Sequence, residues 1–169
     1  FLHAETTVEG PLYESNLTGD TLDVFDAPGT PLSISSNGGL DIPAFTGVLT
    51  TPTPVALVEP ATGIDKSINT AKPLLISWNA DKNASRMVLF LAVLDYAFEP
   101  IAGPVVTCVL EGDPGSHMVP AEALQNLPTK FLHKVVVSVT RVHEETLTST
   151  LIPITLIATR TTAGIANAN

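Results

Sequence analysis

The sequence predicts an all-β protein, an antiparallel β-sandwich of Ig-like, Greek-key type with one short helix at a crossover. Three observations carry this. Apolar residues recur with a period of two in short runs spaced about ten residues apart. Only 15% of residues are charged, and Thr and Ser fill many polar positions, as on the solvent face of antiparallel sheets. Fourteen prolines and eleven glycines cut the chain into short elements. A jelly roll is the alternative architecture.

Taken in order, Phe1–Gly10 is polar and irregular and reads as an arm or edge strand. Thr21–Phe25 alternates and predicts a short strand, followed by a turn at Asp26-Ala-Pro-Gly29. Leu32-Ser-Ile-Ser35 alternates apolar with polar. Asn37-Gly38-Gly39 accepts positive φ, and Leu40–Ile42 resumes the pattern, so Leu32–Ile42 predicts a tight hairpin. The alternating prolines of Thr50–Pro54 favour extended, poorly paired backbone. The segment before them is too poor in apolar residues for a core of its own, so one domain over 1–169 is expected, with the prolines marking an edge crossing.

The centre is Pro73–Leu110. Leu74, Ile76 and Trp78 share one face of a strand, which places the indole in the core. Met87–Leu94 is apolar on both alternating sets. Periodicity alone also allows a buried helix, but its length and Val/Phe content predict a central strand covered on both faces. In Val105–Leu110, Val106, Cys108 and Leu110 share a face. Glu111–Ser116 is a turn cluster, Met118-Val119 a short strand, and Pro120–Leu127 the helix, opened by one proline and stopped by Pro128. Lys134–Arg141 puts Val135, Val137 and Val139 on one face. Val142–Thr146 is expected to turn, and Leu147–Thr159 to return as an edge or bulged strand because of Pro153. Thr161–Asn169 is small and polar and is expected to fray.

The 44% apolar content suits a core. The formal net charge of −9 repels phosphate backbones and argues against nucleic acid. No run approaches the roughly twenty apolar residues of a membrane helix. The chain begins at Phe1, which is compatible with a processed leader or anchor. Cys108 is the single cysteine, so no internal disulfide is expected.

The order Gly38-Gly-Leu-Asp-Ile-Pro-Ala-Phe45, Leu75-Ile-Ser-Trp78, Val106-Thr-Cys108, Val119-Pro-Ala121 and Leu127-Pro128 resembles secreted and lipoprotein-type β-sandwich domains of Gram-negative bacteria, over roughly Leu32–Arg141. The resemblance implies a secreted, periplasmic or outer-membrane-associated location. It implies no activity and transfers no functional residue.

Catalytic and metal signals are weak. His3, His117, His133 and His143 lack ligand spacing to one another or to Cys108. Asn79-Ala-Asp81-Lys-Asn83-Ala-Ser85 opens like a calcium loop, but Ala84 stands where glycine is needed and Phe90 where glutamate is needed. Cys108 within a β pattern predicts a buried, inert thiol. Ser116 and His117 are neighbours on an extended chain and point apart. Glu144 and Glu145 read as a solvated turn, and no nucleophile elbow is present. Asn16-Leu-Thr18 and Asn83-Ala-Ser85 match the glycosylation pattern. No cofactor or metal is therefore assigned. Trp78, Phe90 and Phe25 are expected to pack, leaving Tyr13 and Tyr96. Tyr96, in the loop Asp95–Pro104, is the candidate ligand-binding residue, with Glu111–His117 completing a rim.

The expected function is a non-catalytic structural or adhesive module with a protein or carbohydrate partner. The alternative is a carbohydrate- or small-ligand-binding module accessory to a secreted enzyme. A hydrolase assembled only by the fold is a third reading, which a cleft joining His117 or His143 to carboxylates would favour.

Overall fold

The computed structural model describes residues 3–7, 10–14, 29–39, 43–130, 133–148 and 152–169. The predicted strand Thr21–Phe25, the strand Leu40–Ile42 and the acceptor Asn16 lie outside them. The described residues are all-β, with one four-residue helix, in several sheets, one of them a curled half-barrel. No helix of the described residues is long and apolar enough to cross a membrane.

The strands are β1 (His3–Thr7), β2 (Gly10–Glu14), β3 (Pro31–Ser36), β4 (Phe45–Thr50), β5 (Leu57–Glu59), β6 (Ser67–Ile68), β7 (Leu74–Trp78), β8 (Arg86–Leu94), β9 (Val106–Glu111), β10 (Ser116–Val119), β11 (Lys134–Leu147) and β12 (Ile154–Ala168). The helix α1 is one turn, Ala121–Leu124. A five-stranded sheet runs β6-β12-β11-β8-β9, and a three-stranded sheet runs β10-β7-β5. β1 pairs with β2 and β3 with β4. All these pairs are antiparallel except β6 with β12.

Both larger sheets feed one core. Ile76, Trp78 and Val119 of the small sheet meet Met87, Leu89, Leu91, Val93, Val106, Val135, Val137, Val139 and Ala166 of the large one, closed by Leu124 and Leu127. The alternation that predicted β7, β8 and β11 is the alternation that buries them, because a one-residue slip would turn each valine outward. β4 lies against β11 and β12. A Cβ on its Gly47 would stand 2.7 Å from Leu156, so the missing side chain permits that approach.

Several expectations need correction. β8 is central but buried on one face only: Val88, Phe90, Ala92 and Leu94 line the other, and Phe90 is 38% exposed. Among the described residues no layer covers the sheet's second face, so Phe90 is not committed to packing within them. β3 pairs antiparallel with Phe45–Thr50, a partner the sequence reading did not name. Residues 142–146 do not turn but continue β11 to Leu147, and Thr161–Ala168 does not fray. It pairs from Thr161↔Thr140 to Asn167↔Lys134. Small polar side chains suit that exposed face, and the backbone ladder holds them. Pro153 therefore lies just before β12 and does not break it. Thr51 and Pro52 of the linker-like stretch are buried.

Candidate functional site

β11 places Val135, Val137, Val139, Arg141 and His143 on one inward face, so the core valines are followed by two polar side chains pointing the same way. Arg141 is fully buried. A buried guanidinium is tolerated only if its donors are matched, and they are. Nε and Nη2 donate to Asp113 Oδ2 at 3.0 and 2.9 Å. Nη1 donates to the Thr53 carbonyl at 2.8 Å and Thr53 Oγ1 at 2.5 Å, and Nη2 also donates to the Asn79 carbonyl.

Asp113 is held by the turn Gly112–Gly115, whose two glycines take φ of +66° and +75°. Its Oδ1 accepts from Trp78 Nε1 at 2.6 Å and from Gly115 N–H at 3.0 Å, and its Oδ2 also accepts from Asp81 N–H at 2.9 Å. Trp78 is thus a core residue whose polar end reaches this carboxylate. The chain segments at 53, 79–81, 113 and 141 are joined by one ionic bolt between the sheets.

Asp81 is the neighbouring carboxylate. Oδ2 accepts from Thr53 Oγ1 at 2.8 Å and Oδ1 from Asn83 N–H at 3.0 Å. Burial by itself raises its pKa. Hydrogen bonds from Asn83 N–H and from the Thr53 hydroxyl and N–H, together with the Arg141 charge, outweigh burial and hold it below the usual carboxylate value. The buried His143 places Nδ1 3.0 Å from the Thr50 carbonyl, so Nδ1–H donates there. Its Nε2 makes no hydrogen bond among the described residues and faces Asp81 Oδ2 at 3.7 Å.

Above His143 lies a cleft of about 310 Å³ lined by Leu49, Thr50, Asn83, Ser85, Glu144 and Glu145, with Val48 at its margin. Histidine and carboxylates do meet here, the arrangement that favours a hydrolase, and two of the lining groups, Ser85 and Glu144, are engaged elsewhere. Ser85 Oγ accepts from Glu144 N–H at 2.9 Å, and the Glu144 carboxylate pairs with Arg86. Glu144 and Glu145 are consecutive on a strand rather than in a turn, so their side chains diverge. The cleft therefore has polar walls, with His143 Nε2 left without a hydrogen bond among the described residues.

Elsewhere the predicted residues stay apart. Asn79 Oδ1 accepts from Ala56 N–H and its Nδ2 donates to the Pro54 carbonyl, so this first oxygen of the calcium-like loop serves the backbone. No group of three His, Cys, Asp or Glu that could hold a metal occurs among the described residues. Ser116 and His117 lie on β10 opposite Ser77 and Ile76. Cys108 is half-buried on the core side of β9, and burial pushes its thiol pKa up.

Tyr96 is 75% exposed at the tip of a turn. Asp95 Oδ1 accepts from Ala97 N–H and Glu99 N–H, and Phe98 beside it takes φ of +65°. The proposed companion loop is not near it in the strand order. Asp95–Val105 precedes β9 and 112–115 follows it, so the two loops sit at opposite ends of a strand about 17 Å long and do not share a rim.

Composition and spacing pointed to none of the bolt's three principal members, Arg141, Asp113 and Thr53. The available signal was parity: Arg141 continues the inward series of Val135, Val137 and Val139. Comparison with family models, curated proteins and solved structures gives no match. The fold and site themselves define the class, an all-β protein whose sheets are fastened by a buried arginine–aspartate pair.

Proposed function

We propose that the chain is a non-catalytic structural or adhesive module of the cell envelope or exterior, built as an antiparallel sandwich of Ig-like, Greek-key type. One observation carries this reading: the buried Arg141 and Asp113 are spent on one another, while the middle rows of the outer face of the large sheet carry no charge, Arg86, Glu111 and Glu144 standing at one end and Lys134 at the other. Across that face Val109, Val88, Thr140 and Thr161 form one row, and Thr107, Phe90, Ser138 and Ala163 the next. An uncharged, partly apolar patch suits contact with another surface better than chemistry.

The test is retention of the purified protein on arrays of immobilised glycans and surface proteins, compared with Phe90→Glu and Thr161→Glu. Retention lost in the variants at unchanged circular dichroism supports the reading. Retention by neither form, or by all forms equally, removes it.

A carbohydrate- or small-ligand-binding module is the second reading. Tyr96 and Phe98, both half or more exposed on one turn, support it. Loss of glycan retention in Tyr96→Ala, with Phe90→Glu unaffected, would favour it over the first.

A further inference from the structure

β9, Val106–Glu111, is the outermost strand of the five-stranded sheet. Its pairing is with β8 alone, Arg86↔Glu111 through Leu91↔Val106, and among the described residues nothing pairs with its other side. Such an edge presents a row of unused N–H and C=O groups, and proteins usually guard it. Guards stand at the edges of the small sheet, at β6 and β12, and on the β3–β4 pair. β10 is four residues long and runs into Pro120, and β5 is three residues long, bulged, and followed by Pro60. β6 has two residues, and β3 opens with Pro31. β4 is interrupted by Gly47, and its last carbonyl is taken by His143. β12 starts after Pro153 and carries an inward-facing Arg160.

β9 has none of these. Val-Thr-Cys-Val-Leu-Glu contains no proline, no lysine and no bulge. Its outward residues are Thr107 and Val109, the latter 57% exposed, and β-branched residues favour added strands.

Charge narrows the occupant. From Asp95 through Glu111 every charged residue is acidic: Asp95, Glu99 and Glu111. Arg86, the cation opposite Glu111 on β8, is already held by Glu144. Glu99 sits in the loop at one end of β9, and Glu111 closes the other. A second copy would bring the same acidic ends together on a chain of net charge −9, which disfavours it.

We propose that β9 is a strand-addition site for an extended peptide segment with β-branched alternate residues and Lys or Arg at its ends. Backbone hydrogen bonds to β9 supply the affinity, and Glu99 and Glu111 select the flanking charge. This rests on the interaction-module reading and names the surface and the chemistry of its partner.

The probe is a blocked nonapeptide, Lys-Thr-Val-Thr-Val-Thr-Val-Thr-Lys, beside a twin ending in Glu at both termini and a form N-methylated on alternate residues. Binding to the full chain is read by fluorescence anisotropy, and hydrogen exchange locates it. The expected result is at least tenfold tighter binding of the lysine form than of the glutamate form and no binding of the methylated form. Slowed exchange should be confined to 106–111 and its neighbours. In the exposed-site variant E99K/E111K the preference for lysine ends should vanish or reverse, with the melting curve unchanged.

No peptide binding up to 1 mM, or equal binding of the three peptides, overturns the proposal. So does a concentration-dependent dimer whose exchange protection maps to β9. If the peptides fail while array retention still depends on Phe90, the edge proposal falls and the module reading stands. If both fail, both fall.

Discussion

Arg141 is the residue on which the two sheets depend. Replacing it with Met removes the charge but leaves Asp113 buried among donors now fewer by the guanidinium. Breaking one side of a buried pair costs about 3–5 kcal/mol, so urea denaturation of Arg141→Met should show a loss of that size. A lesser loss follows from Trp78→Phe, which keeps most of the packing but deletes the Nε1 donor to Asp113. The expected cost is about 1–3 kcal/mol, by the same measurement.

Asp81 sets a pH dependence at this scale. Its folded pKa lies below its ordinary value, because hydrogen bonds from residues 53 and 83 and the Arg141 charge outweigh burial. The stabilisation is therefore complete above the unfolded carboxylate pKa, about 3.9, and is lost as pH falls through the lower folded value. Asp81→Asn should lose stability at neutral pH and show a flatter decline below pH 4 than the parent, as read from melting temperatures across pH 2–6. An unaltered acid limb would remove Asp81 as its source.

Among elements, β12 diverged most from expectation. Deleting 161–169 removes the strand partners of Lys134–Thr140 and Ala166 from the core. The truncated chain should lose its cooperative melting transition, whereas a frayed tail would be dispensable. Gly164 within β12 offers a smaller change. A Cβ there would stand 2.6 Å from Thr62 Cβ, and a β-branched neighbour yields little. Gly164→Ala is expected to cost about 1–3 kcal/mol in denaturant titration. The strands β7, β8 and β11 were legible because period-two alternation and burial are the same fact seen twice. β12 was not, because Thr, Ala, Gly and Asn give no apolar rhythm and its order comes from pairing with β11. The turn assigned to 142–146 failed for a related reason: His143 and Glu144 look like loop residues until His143 is found inward and Glu144 held by Arg86.

For the molecule as a whole, the charge balance and the exposed surfaces matter together. The acidic excess keeps copies apart, and the face around Phe90, whose middle rows carry no charge, is where that protection is thinnest. Raising salt from 50 to 500 mM shortens the Debye length from about 14 Å to about 4 Å. Sedimentation velocity should then show more self-association than at low salt, and Phe90→Glu should suppress it. Identical profiles at both salt concentrations would show that charge is not what separates the copies.

Alternation of apolar and polar residues, with Pro and Gly between the runs, was enough to determine an all-β chain, the central strands and the burial of Trp78. These depend on neighbours one or two residues away, which a linear sequence displays. The Arg141–Asp113 pair, the proline segment buried beneath it, the His143 cleft and the exposure of Phe90 were decided by tertiary structure alone. Each depends on which segments meet after the sheets close. A guanidinium at 141 finds acceptors at 53, 79 and 113 only because antiparallel pairing and two-layer stacking bring those distant positions within hydrogen-bond reach.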